Sequence, residues 1–283
     1  MRVTLGEGST PLLHAPRLSE TLGLELWVKW EGANPTGSFK DRGMALAVSR
    51  AVERGAAGVV CASTGNTAAA AAAYAARAGL RAVVVTSGGA VARSKLAQVR
   101  AAGAELREID GTFNDAHHEA QRLADQEELV NVNSINPDRI EGQSSAAREV
   151  LEQLGGAPDV LALPFGGGGN TVAYSRGFGE TQPRFVLGEA ARRCDTFASA
   201  IRIAEPVHRE EVRRVVERCA GEVVSLSEKR LASAWHALAR EEGIFCEPAS
   251  AAGLAAVEAA GLRDALVVCV VTGHGLKDPD AVR

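Results

Sequence analysis

The stretch Asn34-Pro35-Thr36-Gly37-Ser38-Phe39-Lys40-Asp41-Arg42-Gly43 decides how this chain is read. Asn-Pro and Thr-Gly are turn chemistry, because Pro fixes φ and Gly tolerates a positive φ. Behind them Met44, Ala47, Val48, Ala51 and Val52 recur at helical spacing, and Gly55 offers the helix a stop. Lys40 therefore falls where a tight loop becomes a helix. An ammonium there faces the positive end of the helix dipole. That placement suits an amine that must lose its proton, as a Schiff-base lysine must. Taken alone, the lysine reads more simply as a solvated charge in a first helical turn.

Outward from this stretch, strand and helix patterns alternate. Ahead of it lie the turn-rich opening Glu7-Gly8-Ser9-Thr10-Pro11-Leu12 and a strand over 25–30. After it the pattern predicts a buried strand over 58–62, an alanine-rich helix to about Arg77 that stops at Gly79, and a strand over 81–85. A helix over 94–102, a strand over 105–109, an amphipathic helix over 114–126 and a strand over 129–132 follow. The second half predicts helices over 143–154, 228–242 and 249–260, and strands over 159–163, 184–187 and 266–271. Strands alternating with helices through short loops predict an α/β fold, with parallel sheets flanked by helices.

Composition narrows the function classes. The 283 residues suffice for one large domain or two modest ones. They are 46% hydrophobic, with 30 Gly against 7 Phe, 3 Trp and 2 Tyr, so the cores are built from small, closely packed side chains. A formal charge of −4 argues against nucleic acid as a partner. No run of about 18 apolar residues is present, so no membrane helix is expected. No apolar stretch follows Met1-Arg2-Val3-Thr4, so no signal peptide is expected. Cys61, Cys194, Cys219, Cys246 and Cys269 make an odd count without C-x-x-C, which points to a reducing, cytoplasmic setting and away from zinc.

Four further stretches carry chemistry. Ser63-Thr64-Gly65-Asn66-Thr67 lies between a strand end and a helix start, the carboxyl edge of a parallel sheet where ligands bind. Its amides and hydroxyls suit an anion, whereas a helix cap needs only one Ser or Thr. Gly166-Gly167-Gly168-Gly169-Asn170 follows a buried strand and opens backbone amides to a phosphate, with a helix expected from Asn170 or Thr171. A flexible linker would not sit directly behind a buried strand. Asn131-Val132-Asn133-Ser134-Ile135-Asn136-Pro137-Asp138-Arg139-Ile140-Glu141-Gly142-Gln143 holds an arginine two residues after a rigid proline. Val271-Thr272-Gly273-His274-Gly275 ends the last strand with a hydroxyl, and His274 reads as a loop histidine between glycines.

Together these stretches resemble the threonine synthases, of the β-family of pyridoxal-phosphate (PLP) enzymes. The resemblance implies PLP fold type II, the tryptophan synthase β-like architecture. A large domain of 1–43 and 133–283 would carry an inserted small domain, 44–132, with PLP in the cleft. It implies that Lys40 carries PLP and acts as the catalytic base. Asn66 would meet the phenolic oxygen, Gly166, Gly167, Gly168, Gly169 and Asn170 the phosphate, and Thr272 the pyridine nitrogen. Ser63, Thr64 and Gly65 would meet the substrate carboxylate. Thr67, Asn133, Ser134 and Arg139 would hold the phosphate of O-phospho-L-homoserine. The implied reaction yields L-threonine and phosphate, and the implied state is a homodimer. The family usually has Gly-Asn-Ala-Gly-Asn where this chain has 166–170, so backbone donors remain but an Asn contact at 167 is lost. Between Phe178 and Ala200 the chain is also shorter than the family, in a segment that helps wall the cofactor face. A threonine or serine dehydratase or another β-replacing PLP enzyme is the first alternative, although a dehydratase has no use for Arg139. A non-catalytic ligand-binding protein of the same fold is the second.

Overall fold

The computed structural model describes residues 2–87 and 96–282. The chain opens with β1 (Leu12–His14), α1 (Pro16–Leu22) and β2 (Glu25–Trp30). Next come α2 (Lys40–Glu53), β3 (Gly58–Ala62), α3 (Asn66–Ala78), β4 (Arg81–Ser87), α4 (Ala97–Ala101) and β5 (Glu105–Ile109). Then follow α5 (Phe113–Gln126), β6 (Leu129–Asn131), α6 (Pro137–Gln143), α7 (Ser145–Leu154), β7 (Val160–Pro164) and α8 (Gly169–Phe178). The rest is β8 (Arg184–Ala190), α9 (Arg209–Arg218), β9 (Glu222–Leu226), α10 (Glu228–Glu242), α11 (Ala252–Ala260) and β10 (Leu266–Val271).

These elements form two units, one of Met1–Gly8 and Asn34–Gln143, the other of Ser9–Ala33 and Ser144–Arg283. The predicted inserted segment, 44–132, lies wholly within the first, whose bounds run wider on both sides. The extension comprises the Lys40 loop and α6, because α2 and α6 pack together.

In the first unit four parallel strands run in the order β5-β4-β3-β6. The chain builds outward through β3, β4 and β5, then returns to place β6 on the other side of β3. That reversal brings the loops after β3 and β6 side by side at the carboxyl edge, where open α/β sheets bind ligands. Every residue of β3 is buried, as expected for a central parallel strand. The alanines Ala68, Ala69, Ala70, Ala71 and Ala72 of α3 are buried too, which lets that helix lie close on the sheet.

The second unit repeats the plan with six strands, β1-β2-β10-β7-β8-β9. Only β1 runs antiparallel to its neighbour. Here the reversal lies between β7 and β10, so the glycine run after β7 and Thr272 after β10 leave the sheet as neighbours. The core holds Leu26 and Val28 of β2, Val267 and Cys269 of β10, and Leu231 and Leu238 of α10, all buried.

Several elements differ from the sequence reading. Pro137 opens a helix instead of stiffening a loop, since Pro is at home in a first helical turn. The predicted helix over 143–154 is two: Gln143 ends α6 and α7 begins at Ser145. The helix after the glycine run starts at Gly169. The 249–260 helix enters through a 3-10 turn, Pro248–Ala251. The start of the predicted 94–102 helix lies outside the described residues, which show Ala97–Ala101. The sequence reading did not see β1, α1, α9 or β9. In α9 only Val212 and Val215 are buried among ten mostly charged residues, and β9 is an edge strand with only Leu226 buried.

Candidate functional site

In the first unit the Lys40 loop is tied down locally. Gly37 takes φ +88° and its N–H donates to the Asn34 carbonyl at 2.8 Å. The buried Asp41 carboxylate accepts from Thr36 N at 2.9 Å and from Thr36 Oγ1 at 2.6 Å. Lys40 is thereby held as the first residue of α2, half-buried, with Nζ 4.4 Å from the Phe39 ring centroid. This is where the sequence placed it.

The loops after β3 and β6 converge as the strand order requires. Asn133 Oδ1 accepts from Ala62 N and Asn133 Nδ2 donates to Ala62 O, both at 2.9 Å. That side chain locks the end of β3 to the loop after β6, so it positions the 63–67 segment. Gly65 is the N-cap of α3, its N–H donates to Ser63 Oγ at 3.2 Å, and no side chain caps the helix. Ser63, Thr64, Gly65, Asn66, Thr67 and Ser134 are all half-buried.

Arg139 is the most telling residue. Its side chain is fully buried, and Nη1 donates to the Val132 carbonyl at 2.6 Å. Nε and Nη2 have no hydrogen-bond partner among the described residues. Burial pulls its pKa down to about 10, with Cys61 and Asp41 acting in the opposite direction. The guanidinium therefore stays cationic at neutral pH. A buried charge with idle donors carries its desolvation cost uncompensated, and an anion would relieve it. A Cβ built on Gly43 would come 2.9 Å from Arg139 Nε. Gly43 and Lys40 are three residues apart on α2 and so share a face. The guanidinium thus lies one helical turn from the Lys40 position. Cys61 also lies in this buried region, but burial pushes its thiol up to about 12, so it does not compete as a nucleophile.

In the second unit the glycine run makes a cradle. Gly168 is the N-cap of α8 at φ +89°, and a Cβ there would come 2.7 Å from Val212 Cγ2. Gly167 O accepts from His208 N at 3.0 Å, and Phe165 N donates to Gly188 O at 2.7 Å. Arg193 lies under the run, its guanidinium carbon 4.6 Å from the Phe165 ring centroid and its charge paired with Glu189. Asn170 Nδ2 and Thr171 Oγ1 are buried without a hydrogen-bond partner among the described residues. An N-terminal helix turn behind a bare glycine run, with two idle side-chain donors, fits a phosphate ester. Thr272 is buried at the neighbouring strand end, its Oγ1 2.9 Å from Ser250 Oγ. Ser250 Oγ in turn accepts from Gly273 N at 2.9 Å. A hydroxyl held in this way can meet a pyridine nitrogen without charging it. The residues present therefore fit PLP.

The structure thus sets Arg139 one turn from Lys40 and ties Asn133 to the start of the 63–67 loop in the first unit, and ends the glycine run and Thr272 on neighbouring strands in the second. It adds Asp41, Thr171, Arg193 and Ser250, which sequence reasoning did not assign. Asp41 stood inside a quoted stretch, where its short polar side chain near Thr-Gly was the available signal; Ser250 stood within the predicted 249–260 helix. Nothing in the sequence pointed to Arg193. Among the described residues no group of three or more His, Cys, Asp or Glu is placed to hold a metal.

Comparison with known proteins agrees with this geometry. Residues 3–273 match the family described as "Pyridoxal-phosphate dependent enzyme". A threonine synthase of Bacillus sp. (strain ULM1) is 45% identical over 301 positions, covering 98% of this chain and 86% of that protein. A threonine synthase of Synechocystis sp. is 46% identical, covering 98% and 79%. The 301 positions matched exceed the 283 residues of this chain, so the relative carries residues with no counterpart here. Among solved structures, maize serine racemase superposes with a TM-score of 0.86 at 22% identity, covering 99% of this chain and 92% of that one, which supports the fold.

Proposed function

We propose how a chain that belongs to the pyridoxal-phosphate dependent enzymes, and within them to the threonine synthases, performs its chemistry. The reaction is O-phospho-L-homoserine plus water to L-threonine and phosphate. The observation that carries it is Arg139, a buried guanidinium one turn from Lys40 whose Nε and Nη2 have no partner among the described residues.

When bound, PLP spreads the negative charge left on the substrate carbons. The glycine run 166–170 would hold its phosphate with backbone amides, joined by Asn170 Nδ2 and Thr171 Oγ1. Thr272 Oγ1, steadied by Ser250, would serve its ring nitrogen, and Asn66 its phenolic oxygen. Lys40 Nζ would carry the cofactor at rest and, once the substrate is seated, would lift the Cα proton. Ser63, Thr64 and Gly65 hold the substrate carboxylate. Arg139, with Ser134 and Thr67, holds the γ-phosphate as a Cβ proton leaves and the Cγ–O bond breaks. Asn133 acts through Ala62, by fixing the loop that carries Ser63. Cγ then gains a proton, water adds its hydroxyl at Cβ, Lys40 returns a proton to Cα, and the departing phosphate, which takes up the remaining proton, stays against Arg139.

All five cysteines are unpaired, which supports a reducing, cytoplasmic setting. A homodimer is proposed with it on the resemblance alone. The test is stoichiometry: one L-threonine per phosphate released from O-phospho-L-homoserine. A keto acid and ammonia in place of threonine would turn the reading to a dehydratase. Lys40→Ala should abolish turnover while far-UV circular dichroism stays unchanged, because no neighbour can both carry the cofactor and move the proton. Turnover within a few-fold of the parent would sink the mechanism.

A further inference from the structure

Helices α2 and α6 meet through two glycines, one on each. A Cβ on Gly43 would stand 2.5 Å from the Arg139 carbonyl oxygen, 2.7 Å from Gln143 Nε2 and 2.9 Å from Arg139 Nε. A Cβ on Gly142 would stand 2.4 Å from the Arg42 carbonyl oxygen and 2.9 Å from Gly43 Cα. Backbone atoms cannot swing aside as a side-chain end can. Neither position accepts even a methyl group unless the helices move apart. Gln143 Nε2 donates to the Arg139 carbonyl at 2.9 Å, which fixes the very oxygen that Gly43 accommodates. Arg139 lies in this contact fully buried, with Nε and Nη2 idle among the described residues.

We propose that the Gly43–Gly142 contact is the spacer that sets Arg139 relative to Lys40, making both glycines specificity-determining positions for a substrate with phosphate on its γ-carbon. The proposal rests on the functional reading above. Lys40 Nζ must reach Cα, and the guanidinium must reach a phosphate a fixed number of bonds away. Both cations stand on helices whose separation is set by bare backbone, so the gap is fixed by sterics and not by flexible side chains. A phosphate one carbon nearer, as in O-phospho-L-serine, falls short of Arg139. Widening the helix pair moves the guanidinium without removing it, and misplacement on the ångström scale costs about a hundred-fold in well-oriented reactions.

The test uses PLP-loaded parent, Gly43→Ala, Gly142→Ala, Arg139→Ala and the Gly43→Ala/Arg139→Ala pair. Inorganic phosphate is titrated calorimetrically, and phosphate release from O-phospho-L-homoserine is followed. Each glycine variant should bind inorganic phosphate at least about ten-fold more weakly than the parent. Adding Gly43→Ala to Arg139→Ala should cost nothing further in kcat/KM, because residues acting through one another are not additive. Losses that multiply, or glycine variants that bind phosphate like the parent, overturn the proposal. Failure of both glycine variants to fold or take up cofactor overturns it as well, since a spacer must be separable from the fold. Should the parent release no phosphate from O-phospho-L-homoserine, the functional reading fails, while the inorganic-phosphate titrations still decide the spacing.

Discussion

On the proposed reading, a guanidinium sealed from water decides the substrate. Removing one partner of a desolvated charge pair costs about 2–5 kcal/mol. At about 1.4 kcal/mol per decade, Arg139→Ala should lower kcat/KM for O-phospho-L-homoserine by about thirty-fold to a few thousand-fold. Arg139→Lys should recover part of that, because an ammonium is a point charge without the planar fork. Side-by-side kinetics on L-serine check the cause: a loss of equal size on both substrates would make Arg139 structural and reopen the dehydratase reading. A surface arginine would change either rate little. The charge state adds a pH test. Only the protonated guanidinium binds phosphate, and burial lowers its pKa to about 10. Calorimetric phosphate affinity should therefore be level below that range and fall as pH rises through about 10. At this scale the positions of Lys40 at a loop-to-helix junction and of Arg139 behind Pro137 were legible, because turn chemistry and a proline mark them. For Asn133 the sequence named the side chain but not its partner, and the structure adds bonds from that side chain to Ala62 N and O.

The start of α8 makes the corresponding case for an element. Gly168 needs a left-handed φ and has no room for a Cβ beside Val212. Left-handed strain on a non-glycine residue costs about 1–3 kcal/mol. Gly168→Ala should thus weaken PLP binding by about five- to one-hundred-fold, read from cofactor fluorescence on titration. An unchanged affinity would mean that the amides of 166–170 do not hold the phosphate. The central strands β3, β7 and β10 were plain in the sequence because each is a continuous apolar run buried on both faces. The edge strand β9 and the charged α9 were not. One wet face each leaves too few apolar residues to show a period. Glu228 to Glu242 read correctly because Leu231, Trp235 and Leu238 recur at helical spacing on its buried face.

For the whole molecule, strand order was not legible in the residue pattern. Order is set by contacts between distant residues, such as Leu266 with Glu25 in β10 and β2. Local patterns carry no record of such pairing, yet the pairing alone creates both ligand edges. The short link after β8 raises a question at the same scale. Residues 191–198 pass quickly from Ala190 to the next turn, with Ala191 N on Leu226 O and Phe197 N on Glu228 Oε2. Inserting between Cys194 and Asp195, both exposed, the longer segment that the resemblance implies should raise PLP affinity in the same titration. No gain would mean that Arg193 beneath the glycine run already supplies the missing support. The placing of β10 has a consequence during synthesis. On the ribosome the first unit has all its strands once residue 131 has emerged. The second must wait for β10, the strand that joins β2 to β7 and the last of the described strands to be translated. Until then a nascent chain holds the β1–β2 ribbon apart from β7, β8 and β9, with two apolar strand edges uncovered. Chaperone dependence should therefore concentrate in the second half of translation, and premature stop codons just before Leu266 should leave the first unit folded and the second degraded.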